Sequence, residues 1–397
     1  MNVGIIVDND LNNDKRVLRE IKILRQNSYE IFVLCFGFNK KGYNRINHIK
    51  ITRINISKRI KNVLFFVQNL IPIYEYFWSS RISKFIKSNQ LEVLHVHDLY
   101  MSKAARSGIT RSTYNIPMIL DLHENFAYAI TTYNWTRGLL RSFLSKPWKW
   151  ESKEHEYLGY ADRIIVLSEE YKSVLLNKYQ DLNQNIITVL PNVPDLTEQE
   201  MDLDLPARIL FKKTVPVIFY FGVIAERRGI FDTLEVFTEI VKETNPAQLL
   251  LVGPVDKKDK ARFFRLIENE IFKGRIIYIP WIDLSELPAY LQASDICIAP
   301  FHKNPQHESG VANKIFDYML GRKPVIASDC KPQKRIIEQF DCGIIFENKI
   351  EYKNAILKLL KDSLSRQKMG ENGYNAVVLH YNLTAIKQNL INIYHTL

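Results

Sequence analysis

Cysteine is scarce in this chain, and long apolar runs are absent. Four cysteines (Cys35, Cys297, Cys330 and Cys342) are spread over 397 residues with no C-x-x-C pair. That spacing offers no zinc pattern. Three of the four lie in or beside apolar strand-like runs, as buried thiols in a reducing compartment do. No stretch of 18 apolar residues occurs, so no membrane-spanning helix is expected. The N-terminus, MNVGIIVDND, lacks a basic region ahead of an apolar one, so no signal peptide is expected. Internal repeats, low-complexity tracts and RNA-binding motifs are also missing, and nucleic acid is not an expected partner.

What remains is ordinary for a globular protein: 46% hydrophobic and 24% charged residues, enough chain for two cores. The net charge of +11 is uneven. Residues 1–195 hold 27 Lys+Arg against 18 Asp+Glu, and the rest hold 27 against 25. A basic first half suits an anionic lipid surface or a phosphorylated substrate.

Short apolar runs alternate with helical periods from end to end. Residues 3–7, 31–36, 93–96, 118–122, 164–167 and 187–190 read as buried parallel strands. Residues 14–26 carry Val17, Leu18, Ile21 and Leu24 on one helical stripe. Residues 191–213, rich in Pro and acids, break the pattern and read as a linker. Alternation restarts with strands at 217–221, 249–252, 276–279, 296–299 and 325–327, and helices at 231–241 and 261–272. The expected fold is α/β, with two doubly wound Rossmann-like domains facing a central cleft. The domains are placed at 1–195 and 205–374, with a C-terminal helix, 375–397, returning to the first.

In such sheets the loops after strands carry the chemistry. After the first strand no Gly-rich phosphate loop follows. Arg16 instead stands in the first turn of a helix capped by Asp14, where a cation opposes the macrodipole unless it meets an anion. His97 and Asp98 end one strand, and His123 and Glu124 follow another; these suit acceptor or sugar hydroxyls, with Glu124 also a candidate base. In the second half, Gly222 ends a strand and Arg227 and Arg228 precede a helix, where guanidinium groups suit a diphosphate. Trp281 and Ile282 follow a strand and offer a face to a nucleobase. Glu308 leads into the small-residue turn Ser309, Gly310, Val311 and Ala312, which opens a helix carrying Lys314 and Asp317. Gly321 is expected to close it. An anion at the turn with hydroxyls beside it describes a sugar nucleotide. Two aromatic, basic segments, 58–87 and 133–150, stand apart and suit contact with an anionic membrane.

Together these segments resemble a family 4 glycosyltransferase of the GT-B fold and retaining class. The matching pieces are DKRVLRE at 14–20, HVHD at 95–98, DLHE at 121–124, ADRIIVLSE at 161–169, LPNVPD at 190–195, YFGVIAERRGI at 220–230, LLLVGP at 249–254, ASDICIAPF at 293–301 and NKIFDYMLGRKPVIASD at 313–329. The resemblance implies a nucleotide-sugar donor bound mainly by the second domain and an acceptor bound mainly by the first. Arg228 then contacts the diphosphate, 309–312 meet phosphate and sugar, Asp317 holds the ribose, His123 lies near the donor sugar, and Trp281–Ile282 meet the base. A UDP-sugar is favoured over a GDP-sugar. The acceptor is a glycan or lipid-linked saccharide of surface polysaccharide synthesis in the cytoplasm, at the inner membrane face. Hexosyl or hexosaminyl transfer without metal or other cofactor is expected.

Three departures from the family pattern stand out. Eight residues, not seven, separate Glu308 from Asp317, and the second acid is the shorter one. Val223 replaces the arginine usual after Gly222. The double-glycine loop after the first strand is missing. Two other readings stay open: a sugar-nucleotide epimerase of related architecture, and a non-catalytic partner protein of the same fold.

Overall fold

The computed structural model describes residues 1–38, 49–132, 136, 139–196, 215–243 and 246–397. The chain forms two compact units. One is Met1–Asn192 with Ile386–Leu397, and the other is Val193–Ala385.

The first unit holds seven strands: β1 (Asn2–Val7), β2 (Glu30–Gly37), β3 (Lys50–Asn55), β4 (Val93–His97), β5 (Met118–Asp121), β6 (Arg163–Val166) and β7 (Ile187–Val189). They run parallel in the order β3-β2-β1-β4-β5-β6-β7. Ile5 of β1 pairs with Val33 on one side and His95 on the other. After its first residue every position of β2 is buried, as expected for a parallel strand covered on both faces. Strand order reverses between β1 and β4, the place where open parallel sheets bind ligands, at their carboxyl ends.

The second unit repeats the plan with six strands: β8 (Val217–Phe221), β9 (Gln248–Val252), β10 (Ile276–Ile279), β11 (Ile296–Ala299), β12 (Val325–Ser328) and β13 (Gly343–Phe346). Their order is β10-β9-β8-β11-β12-β13, again all parallel, with the reversal between β8 and β11.

The structure adds to and corrects the sequence reading. β3 and β13 were not expected. β3 is a half-exposed edge strand, KITRIN, without an apolar run, and β13, GIIF, is likewise an edge strand with only its last residue buried. The helix expected over 261–272 stops at Ile267, and a 3-10 turn, Glu270–Phe272, follows. The C-terminal helix expected over 375–397 is two helices, Ser363–His380 and Leu383–His395. Asn382 makes the break: its amide donates to the Val377 and Val378 carbonyls and its oxygen accepts from the Ala385 N–H. Residues 375–385 belong with the second unit, and residues 386–397 with the first. Of the expected linker, 191–213, residues 197–213 lie outside the described residues.

Candidate active site

In the first unit the polar residues gather at the carboxyl ends of β4 and β5. Their organiser is Asp121, a fully buried carboxylate at the end of β5. The helix Lys15–Gln26, capped by Asp14 accepting from the Val17 N–H, delivers Arg16 to it. Arg16 donates from Nε and Nη2 to the two Asp121 oxygens at 3.0 and 2.9 Å, and from Nη1 to the Leu190 carbonyl at 3.1 Å. Its Nε also lies 3.1 Å from Glu20 Oε1. Arg16 is 7% exposed, so its expected anion is supplied by the chain rather than by an acceptor.

His97 is likewise buried, beneath His123, with Nδ1 2.8 Å from His123 Nε2. It is a support for His123 rather than an acceptor contact. His123 is part-exposed, 3.6 Å from Asp121 and 4.0 Å from Asp98. Burial alone would push its pKa down, but Asp98 and Asp121 outweigh this and hold it at about 9. Asp98 adopts φ 72°, a conformation costly for a non-glycine residue, and accepts from the Tyr100 hydroxyl at 3.1 Å. Glu124 sits half-buried in the turn after β5, near enough to Tyr171 to raise its pKa, though burial dominates that shift.

His123 thus gives a pH prediction with a definite sign. A base whose folded pKa exceeds its unfolded value of about 6.5 adds stability that is fully present below pH 6.5. That stability is lost as pH rises through about 9. The contribution is on the order of 3 kcal/mol. The difference in melting temperature between wild type and His123→Gln is therefore expected to shrink between pH 6.5 and 10. The difference is needed because Lys314, whose pKa is depressed, acts in the opposite sense. A difference flat with pH would refute the imidazolium.

Glu20, His95, His97 and Asp121 have ligand atoms within 4.8 Å of one another, close enough to hold a metal ion. The Arg16 guanidinium is already against both carboxylates. A divalent cation would bring like charges together in a buried place, and the arrangement fits a charge-balanced internal network better.

In the second unit the site is built on Phe301, just after β11. Arg228 Cζ lies 5.0 Å from its ring centre, Lys314 Nζ 5.0 Å, and the His307 ring 4.9 Å. Lys314 Nζ also sits 3.7 Å over the Tyr220 ring. Burial and then Arg228 push the Lys314 pKa well down, with Asp317 pulling the other way. Burial also lowers Arg228. Neither cation has a carboxylate ion-pair partner among the described residues. His307, a residue the sequence reading missed, is held neutral: burial and the neighbouring arginines push its pKa down to about 4. Its neighbourhood to Phe301 arises from a loop with no periodic signal.

Glycines make room for this arrangement. At Gly222 (φ 127°) a Cβ would lie 2.8 Å from Lys314 Nζ. At Gly229 (φ 71°) a Cβ would fall inside the Pro300 carbonyl oxygen. Gly229→Ala is therefore expected to lower Tm by about 10 °C or more, read by a thermal melt. A melt within a few degrees of wild type would show that the 226–229 turn is not tied to Pro300.

The helix Asn313–Leu320 begins at Ala312, which makes no side-chain cap. Lys314 and Asp317 are three residues apart on it, hence on one face. Gly321 stands at its C-cap as expected, but with φ −72°; the left-handed residue is Arg322 (φ 55°). Ser309 is buried and donates from Oγ to the Gln306 carbonyl at 2.8 Å, fixing the turn ahead of Gly310, Val311 and Ala312. Glu308 accepts from the Lys331 N–H at 3.0 Å, so its carboxylate is used at the start of the helix Lys331–Gln339. Arg227 pairs with Asp256 at 2.8 Å and is turned to that acid rather than toward Phe301. Trp281 is 71% exposed, whereas Ile282 is buried at 7%; of the two, Trp281 alone has an open face.

Comparison with known proteins follows these two halves. Residues 15–198 match the family described as Glycosyltransferase Family 4, and residues 203–376 match Glycosyl transferases group 1. The alpha-D-kanosaminyltransferase of Streptomyces kanamyceticus is 24% identical over 181 residues, 45% of this chain and 45% of that protein. The chain thus spans about half the length of the curated relatives it matches. Among solved structures, sucrose-phosphate synthase of Thermosynechococcus elongatus superposes with a TM-score of 0.76 at 17% identity, covering 100% of this chain and 98% of that one. HepE of Anabaena, solved in complex with UDP, gives 0.73 at 13% identity with full coverage of both chains. Two parallel-sheet units, family matches over most of the chain and these neighbours place it together: the chain belongs to family 4 of the glycosyltransferases and has the GT-B fold.

Proposed function

We propose that the chain moves a sugar from a nucleotide diphosphate sugar to a saccharide acceptor, with retention at the anomeric carbon and without a metal ion. The observation that carries this reading is the pair of cations on Phe301. Arg228 and Lys314 are placed close together at a helix start, and burial depresses both. Two such charges without a carboxylate partner are unfavourable alone and favourable around a dianion. They would hold the departing diphosphate, the role other transferases give to a divalent cation. Helix N–H groups from 312–314 add donors there. Asp317, on the same helix face, would accept from ribose hydroxyls, and the open face of Trp281 would stack on the base. The UDP bound by HepE supports a UDP-sugar as the first donor to try.

In the first unit, His123 would present a cationic N–H to donor or acceptor oxygens. The leaving phosphate oxygen takes the acceptor proton in a same-face reaction, so Glu124 is dispensable as base. We place the reaction in cytoplasmic assembly of a surface glycan, with a glycan or lipid-linked saccharide as acceptor.

The test is a screen of UDP- and GDP-sugars against saccharide acceptors in EDTA, reading released nucleotide and the anomeric coupling constant of the product. A product with the donor's configuration is expected. Inverted product, or isomerised donor formed without acceptor, would overturn the reading.

A further inference from the structure

The first unit carries an apolar, basic surface that glycosyl transfer itself does not use. Ile60 and Val63 stand on the outer face of the helix Lys58–Phe66, which has no fully buried residue. Leu70 and Ile71 lie in the turn that follows, and Phe143 and Trp148 come from a segment far away in sequence. These six side chains are between 41% and 65% exposed. They form one surface because Asn69 ties the segments together. Its amide donates to the Ser145 carbonyl at 2.8 Å, and its oxygen accepts from Lys153 Nζ at 2.9 Å. Lys149 Nζ reaches the Asn69 carbonyl at 3.5 Å. Behind the surface, Phe65 packs edge-on to Tyr74 and Tyr100, so the helix is anchored on its inner side.

Along these segments the charge has one sign. Residues 31–74 and 125–150 contain no Asp or Glu at all. Lys58 and Arg59 are exposed on the helix, and Lys146 and Lys149 flank Trp148. The nearest acids by sequence are engaged: Glu75 with the Tyr157 hydroxyl, and Glu151 with Lys178 at 3.8 Å. Apolar side chains standing out from a cationic rim match the two layers of a bilayer interface, acyl chains below and anionic headgroups around. An acidic protein partner would satisfy the rim but would leave the protruding Phe, Trp and Ile side chains to find a groove.

We infer that this surface docks the enzyme on an anionic lipid bilayer through Ile60, Val63, Leu70, Ile71, Phe143 and Trp148, with Lys58, Arg59, Lys146 and Lys149 on the headgroups. No helix among the described residues is long and apolar enough to cross a membrane, so the contact is peripheral. The surface lies beside the carboxyl ends of the strands, since Lys61 of the same helix meets Asp8, just after β1, at 3.1 Å. It therefore borders the side of the unit where His123 stands.

The test is co-sedimentation of the full chain with vesicles of phosphatidylcholine alone or with about 30% phosphatidylglycerol, at low and high salt. Binding about tenfold tighter to the anionic vesicles, weakened by salt, is expected. Ile71→Ser with Trp148→Ser should weaken it about tenfold at an unchanged melting temperature. Lys58→Glu with Arg59→Glu should remove the preference for anionic lipid. Failure of the wild type to sediment with anionic vesicles overturns the inference, as does equal binding to neutral ones. A wild-type dimer that either double variant makes monomeric would overturn it in favour of a protein interface. None of these readings depends on donor or acceptor, so failure here leaves the transfer reaction standing.

Discussion

Arg228→Ala is expected to lower turnover about 10²–10³-fold and to leave the protein as stable as before, or slightly more stable. The two halves of this result have one cause. Arg228 lies with Lys314 around Phe301, half-buried and without a carboxylate partner among the described residues. In the free protein burial disfavours both charges, and repulsion from Arg228 adds to the lowering of the Lys314 pKa. Removing one relieves that repulsion. In the proposed transfer the same charge would meet the diphosphate as negative charge builds on it, and its loss would be felt in the transition state. An arginine held by a structural carboxylate would behave oppositely, with a large loss of stability on truncation. Turnover and Tm measured together separate the cases. Near-normal turnover, or a Tm lowered by many degrees, would contradict the assignment.

The second large effect belongs to Asp121. Asp121→Ala is expected to destabilise the first unit by about 3–5 kcal/mol, because it leaves the Arg16 guanidinium buried without its partner. Burial tends to raise the Asp121 pKa, but Arg16 and then His123 override it and hold it well below the usual value. The carboxylate is therefore charged throughout the working pH range. Replacing both partners, Arg16→Met with Asp121→Leu, should cost less than Asp121→Ala alone, since the guanidinium is then not left buried with Glu20 as its one remaining carboxylate. In both variants the His123 pKa is expected to fall from about 9, read by NMR of the ring protons. Denaturant melts supply the stabilities. If the double variant is the less stable of the two, Arg16 and Asp121 are not acting as a pair.

These residues show what was legible in the sequence and what was not. The apolar runs and helical stripes revealed two doubly wound units because burial on both faces leaves a near-continuous apolar record. β3 left no such record, being an exposed edge. In the second unit Arg228 and Lys314 were readable together because both follow strands, β8 and β11, that flank the strand-order reversal. The errors came from long-range partners. Arg16 and His97 read as ligand contacts because Asp121, 105 residues from Arg16, is silent about its pairing in one dimension. Arg227 reads like Arg228 until Asp256 is seen beside it. The partner of His95, the Tyr394 hydroxyl at 2.7 Å, lies 299 residues away, on the C-terminal segment expected to return to this domain but with no sequence signal for the pairing.

The proposed reaction requires that Arg228 and Lys314 together hold a nucleotide diphosphate without metal. Calorimetric titration of UDP in EDTA, into wild type, Arg228→Ala and Lys314→Ala, tests this most directly. Wild-type binding weakened about tenfold or more by each substitution is the predicted result. Absence of binding to the wild type, or affinity indifferent to both substitutions, would contradict it.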